Sequence, residues 1–283
     1  MTFSIVAAEP ETEEVGVGVQ SKFLAVGALV SWARAGVGAV ATQALADVSF
    51  GPLGLDAMAE GLTPQEALDR LMAGDEGRES RQVGLVDATG RSASFTGSEC
   101  FEHASSVTGE GFACQGNIMA TDRVVPAMAE AFRGATGPLP ERMMEALRAA
   151  QREGGDRRGQ ESAALLVAKP GGGYGGTHDR YIDLRIDNHD APIEELARLL
   201  KLHRFYFQRP AEADLLAADP ALEGEIGALL DALGKRSPDQ DLWDALFDYM
   251  GWENLEERWV GPGRIDPQVL EYLRRDAPGE GGS

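Results

Sequence analysis

Apolar and polar positions alternate along this chain in blocks, first with the spacing of strands and then with the spacing of helices. Residues 3–8, 15–20, 25–32 and 36–42 read as four short β-strands. A Glu-rich turn containing Pro10 separates the first two, which predicts a hairpin. Gly or Ala recurs at alternate positions in 16–19 and 36–40, so one face of each strand is small enough for another layer to approach closely. Gly51-Pro52 then opens a helical pattern over 53–60. Thr63-Pro64-Gln65-Glu66 supplies an N-cap, a proline in the first turn and an early carboxylate, ahead of Ala67, Leu68, Leu71 and Met72 at helical spacing. Strand patterns return at 81–87 and 91–96 around the turn 88–90, and again near 105–109 and 111–117. Residues 121–133 and 139–152 form a second pair of amphipathic helices. The strand 162–169, the glycine-rich turn 170–176, the strand 181–187 and a helix over 192–207 follow.

Strands, a helix pair, strands, a helix pair, strands and a helix is not the βαβ rhythm of a parallel sheet. It predicts an α+β fold, a four-layer αββα sandwich of two antiparallel sheets. Beyond Pro210 the pattern turns to helices alone, at 222–233, 241–249 and 266–274, the last capped by Asp266 and started by Pro267. The expected division is a sandwich over 1–206, a small all-α domain over 207–276 and a flexible tail over 277–283.

Composition narrows the partners. With 26 basic and 46 acidic residues the net charge is −20, which argues against a nucleic-acid backbone or an anionic membrane surface. No apolar run approaches the roughly 18 residues of a membrane span, and the N-terminus lacks the basic flank of a secretory signal, so a cytoplasmic protein is expected. Cys100 and Cys114 make no CxxC pair, and His103, His178, His189 and His203 have no ligand spacing, so neither a metal site nor any cofactor is expected. Buried thiols are the expected state of both cysteines. The run 171–176 lacks the Lys-Ser/Thr ending of a phosphate loop, and a hairpin turn accounts for it better.

Chemistry gathers at the start of the chain. If Met1 is trimmed, Thr2 carries a hydroxyl and a free α-amine on one carbon at the head of a strand, and an amine with a pKa of about 7.7–8.0 can serve as base for that hydroxyl. Ser4 shares the face of Thr2 by strand alternation. Thr42 and Gln43 end the fourth strand, where cleavage before Thr42 is a weaker alternative source of a nucleophile. Asp156, Arg157 and Arg158 form a charged group in which an arginine fork could grip a substrate carboxylate, or simply face solvent. Trp243, Phe247, Tyr249, Trp252, Trp259 and Tyr272 suit either the core of a small helical domain or stacking on sugar rings.

Several separated blocks carry a resemblance: the opening run TFSIVAAEPETEEVGVGVQSKFLAVGALVSWARAGVGAVATQ, then FGPLGLDAMAEG, RQVGLVDATGR, FTGSEC, GEGFACQGNIM, GGDRRGQESAALLV and DRYIDLRIDNH. Over about residues 1–205 the chain resembles the bacterial and archaeal DUF1028 family. Residues 207–275, with GWENLEERW and IDPQVLEYLRR, resemble the peptidoglycan-binding-like domain appended to some of its members. The resemblance implies an Ntn-hydrolase-like fold, in which an N-terminal Thr, Ser or Cys attacks an amide carbonyl with its own amine as base. Carried over, it makes Thr2 the nucleophile, Asn117 the oxyanion donor with help from Gln115, and Ser21 and Lys22 neighbours of the site, the lysine able to lower the amine's pKa through its charge. The implied substrate is a small amide or peptide, with a cell-wall fragment among the candidates. Such a fragment would reach a cytoplasmic protein as a precursor or a recycled muropeptide. The competing expectation is a non-catalytic binding or assembly protein that keeps the sandwich and docks a glycan, peptide or protein through its C-terminal helices. Self-association into a homo-oligomer is a further expectation.

Overall fold

The computed structural model describes residues 2–278 and divides the chain into two compact units, 1–200 and 201–283. Met1, whose removal the sequence reading invokes, and all of the expected tail beyond residue 278 lie outside the described residues.

The first unit starts with the hairpin β1 (Thr2–Glu9) and β2 (Glu14–Ser21). A single helical turn, α1 (Gly27–Val30), leads to β3 (Ser31–Arg34) and β4 (Gly38–Ala44). Helices α2 (Phe50–Ala59) and α3 (Pro64–Ala73) follow, then β5 (Arg81–Asp87), β6 (Ser92–Thr96), β7 (Ser105–Gly109) and β8 (Phe112–Asn117). Helices α4 (Val124–Gly134) and α5 (Leu139–Arg152), strands β9 (Ser162–Ala168) and β10 (Arg180–Ile186), and helix α6 (Pro192–Phe207) complete the order. The expected start of α3 is a full capping box, with Thr63 accepting from Glu66 N and the Glu66 carboxylate accepting from Thr63 N.

Two wholly antiparallel sheets result, one in the order β10-β9-β2-β1-β8-β7 and the other β3-β4-β5-β6. Three apolar layers separate four structural ones. Phe3, Ile5 and Ala7 of β1 pack with Val125, Met128, Met143 and Leu147 under α4 and α5, and Leu196 of α6 joins the same layer. Val6 and Ala8, from the opposite face of β1, meet Val17, Val19, Ala39 and Ala41 between the sheets. Val40, Val83 and Leu85 pack under α2 and α3 with Leu55, Leu68 and Leu71. Strand β1 is therefore buried on both faces, which is why its sequence is nearly continuous in apolar character rather than alternating. The fold is the expected αββα sandwich.

One expected strand is corrected. Of residues 25–32 only Ser31 and Trp32 run extended, as the start of β3, because after β2 the chain must leave one sheet and enter the other. Ala25 takes the left-handed conformation at φ +54°, and the turn α1 drops Val26 and Val30, four residues apart, into the layer between the sheets. At Gly27 a Cβ would stand 2.3 Å from that of Ala164, so only glycine lets the turn lie this close to β9.

The second unit packs α7 (Pro220–Ala232), α8 (Leu242–Trp252) and α9 (Pro267–Asp276) around Ile226, Leu246, Tyr249 and Leu270. It is not purely helical. A two-residue ladder joins β11 (Leu216–Ala217) to β12 (Arg264–Ile265). Asp266 caps α9 as expected and also pairs with Arg258, both side chains being almost fully buried, while Arg258 Nη1 donates to the carbonyls of Arg204, Phe205 and Gln208. No helix among the described residues is long and apolar enough to cross a membrane.

Candidate active site

Thr2 is paired on both sides, with Ser21 of β2 and Asn117 of β8 as its register partners. Alternation from these positions sends Thr2 and Ser4 toward the second sheet, where β4 and β5 place Gln43 opposite Gln82. The two sheets are joined here by a buried polar network. Gln115 Nε2 donates to Ser4 Oγ at 2.7 Å, and Ser4 Oγ donates to Gln43 Oε1 at 2.7 Å. Gln43 Nε2 donates to the Thr2 carbonyl at 3.1 Å and to Gln82 Oε1 at 2.8 Å. Asn117 Nδ2 donates to the same Gln82 oxygen at 2.8 Å, and Gln82 Nε2 donates to the Gly116 carbonyl at 2.9 Å. Such groups are costly to bury singly, and here each amide donates through its nitrogen. Gln115 Oε1 is buried without a partner among the described residues; it rests against Gly84, where an added Cβ would lie 2.2 Å away.

The Thr2 hydroxyl donates to Ser21 Oγ at 3.0 Å. Thr2, Ser21 and Gln43 form the polar floor of a cavity of about 610 Å³. Two loops wall it. One follows β2 and is tied down by Ser162, whose hydroxyl accepts from Val26 N and donates to the Phe23 carbonyl. The other follows β4 and turns at Ala44, φ +70°, with Thr42 Oγ1 donating to the Asp47 carbonyl at 3.0 Å. Phe23, Leu29 and Leu45 are all exposed where these loops meet the opening. Arg81 and Arg158 also line the cavity. Arg81 donates through Nε and Nη2 to Asp75 and through Nη1 to the Leu45 carbonyl, while Arg158 grips Asp156 through Nε and Nη2.

The residues singled out from the sequence therefore fall into distinct places. Thr2, Ser21 and Gln43 line the cavity, and Ser4, Gln115 and Asn117 lie behind it in the network. Thr42 braces a wall loop. Lys22 turns its ammonium to the Gln160 carbonyl and the Glu161 carboxylate, while its backbone N–H donates to Asp156 Oδ2. Asp156 is a buried anchor rather than a cavity residue, and Arg157 faces Glu102 on the surface. Gln82, Arg81 and the apolar loop residues were not marked by sequence reasoning. The one available signal was a glutamine at the start of an otherwise apolar strand, QVGLV.

A larger cavity, about 640 Å³, opens between β3 and the β9–β10 pair and contains none of these residues. Both cysteines are free: Cys114 is buried and its thiol is pushed far up by burial, whereas Cys100 is only partly buried, contrary to expectation. No group of three or more His, Cys, Asp or Glu among the described residues could hold a metal ion. In the second unit Tyr249 is core, whereas Phe247 is half exposed and Trp252 is 72% exposed with the Lys235 ammonium 4.0 Å from its ring centroid.

No curated protein matches the chain. The model of a peptidoglycan-binding-like family, "Putative peptidoglycan binding domain", matches residues 206–273. A crystal structure of protein SPO2555 from Silicibacter pomeroyi, itself assigned to DUF1028, is 33% identical, with a TM-score of 0.65 over 72% of this chain and 89% of that one. The model of the DUF1028 family of unknown function matches residues 2–196, well over half of the sequence, and the chain belongs to that family.

Proposed function

We propose that the sandwich unit is an amidohydrolase whose nucleophile is Thr2, exposed as the first residue by removal of Met1. The observation that carries this reading is the seat of Thr2 at the head of an interior strand, on the floor of a cavity of about 610 Å³ with Ser21 beside its hydroxyl. In this reading the Thr2 α-amine takes the hydroxyl proton as Oγ attacks the amide carbonyl carbon. A C–O bond forms, the C–N bond breaks, and the departing nitrogen receives the proton from the ammonium. Water, deprotonated by the same amine, then cleaves the ester and restores Thr2. Ser21 orients the hydroxyl. Asn117, the register partner of Thr2, stands just behind the cavity floor with a second Nδ2 hydrogen beyond its bond to Gln82, and is the candidate oxyanion donor. Lys22 enters only through its charge. Hydrolysis of an amide panel by wild type and by Thr2→Ala tests the reading; turnover surviving in Thr2→Ala would sink it.

The second unit supports a separate reading as a saccharide-binding module. The family match over 206–273 and the exposed indole of Trp252 favour it, since an aromatic face with one open side suits a sugar ring. Sedimentation with insoluble peptidoglycan should retain the chain, and Trp252→Ala should release it.

A further inference from the structure

The cavity above Thr2 has two chemically distinct parts, and both bear on what enters it. Its walls are apolar: Phe23, Val26, Leu29 and Val30 on one side, Leu45 and Val48 on the other. Phe23 and Leu45 are more than half exposed, an arrangement that leaves hydrocarbon facing water until something apolar covers it. Against this stand two guanidinium groups, Arg81 and Arg158, reaching the cavity from different elements. Each is fixed by a carboxylate, Asp75 or Asp156. Holding the planar forks in advance lowers the entropy cost of gripping a ligand. Arg81 spends three N–H bonds on Asp75 and the Leu45 carbonyl, and a guanidinium carries five. Carboxylates already stand beside both guanidinium groups, Asp75 and also Asp47 for Arg81 and Asp156 for Arg158, so the site carries little net positive charge. That suits a single carboxylate better than a phosphate dianion.

We infer that the substrate is an N-acylated amino acid or short peptide acid, its acyl chain lying along the Phe23–Leu45 walls and its carboxylate held by Arg81 and Arg158. This rests on the reading of Thr2 as nucleophile, and it assigns the two ends of the scissile amide: the apolar acyl group is transferred to Thr2 Oγ, and the amino acid leaves as the amine. A volume of about 610 Å³ lies within the ordinary range of small-molecule sites.

Binding separates this inference from catalysis. Isothermal titration of the full-length Thr2→Ala chain, which cannot turn the ligand over, compares N-octanoylglycine, its carboxamide N-octanoylglycinamide, and N-acetylglycine. The acid is expected to bind at least about tenfold more tightly than either, the scale of a charge-assisted hydrogen bond or a buried alkyl chain. Arg81→Gln, checked for folding by circular dichroism, should bring the acid and the carboxamide near parity. Equal binding of acid and carboxamide, or of octanoyl and acetyl ligands, overturns the inference, and these comparisons need no arginine variant. Hydrolysis by the unmodified chain is scored apart. The expected binding pattern without turnover supports the ligand class and refutes Thr2 chemistry, whereas turnover of other amides without a preference for the acid refutes the ligand class alone.

Discussion

Gln43 Nε2 donates to the Thr2 carbonyl oxygen at 3.1 Å, so the head of an interior strand in one sheet is held by a side chain from the other. The same amide is bound to Ser4 and Gln82. Removing it takes a partner from three buried groups at once, the Thr2 carbonyl, the Ser4 hydroxyl and the Gln82 amide oxygen, of which the last keeps Asn117 and the hydroxyl keeps Gln115 as donors. Gln43→Ala should destabilise the sandwich by about 2–4 kcal/mol, more than one ordinary hydrogen bond, as read from urea unfolding. A loss under about 0.5 kcal/mol would show that the network does not couple the sheets.

Thr2 itself contributes little to folding in this account. Among the described residues its hydroxyl makes one bond, to Ser21 Oγ. Thr2→Ala should lower stability by about 1 kcal/mol and leave the circular dichroism spectrum unchanged. Thr2→Ser, which keeps the hydroxyl, should retain measurable amide turnover.

Gly84 tests the packing behind the site. A methyl group there would meet Gln115 Oε1 at 2.2 Å and push that side chain off Ser4. Gly84→Ala should cost about 1–3 kcal/mol, and Gly84→Ala combined with Gln115→Ala should cost less than the sum of the two, because the clash is gone.

The Arg81 guanidinium beside Asp75 holds that carboxyl below its ordinary value of 3.8. A lowered folded pKa means the ion pair's contribution to stability is complete above the ordinary value and is lost as pH falls through the lowered one. Asp75→Asn should therefore flatten the acid limb of a Tm-against-pH curve below about pH 4 while leaving its slope near neutrality unchanged. It should also loosen Arg81 in the cavity wall. An unaltered acid limb would contradict the pairing.

In the second unit, Asp266→Ala leaves the buried Arg258 guanidinium without its carboxylate and removes the cap of α9. A loss of about 3–5 kcal/mol is expected, the scale of a broken buried pair. Comparing Asp266→Ala with Asp266→Asn, which keeps the capping oxygen, separates the cap from the ion pair.

The sandwich was legible in the sequence because its helices carry local signals: the capping box at Thr63 and the apolar spacing of residues 139–152 mark α3 and α5 without knowledge of the fold. Strands buried on both faces, such as β1, show as apolar runs but do not reveal which face meets which layer. The crossing at 25–30 reads as strand in the sequence because Ala25 carries no local mark of its left-handed turn. Thr2, Ser4 and Asn117 could be named from strand order and family resemblance. Gln82 and Arg81 could not, since their value comes from a register between β4 and β5 and from loops that meet only in three dimensions.

The chemistry requires Thr2 to be the first residue of the working protein. An intact mass taken on a preparation with measured amidase activity decides it. A chain lacking Met1, with Thr2 at the N-terminus, is expected; an active preparation whose every molecule retains Met1 rules out Thr2 as the nucleophile.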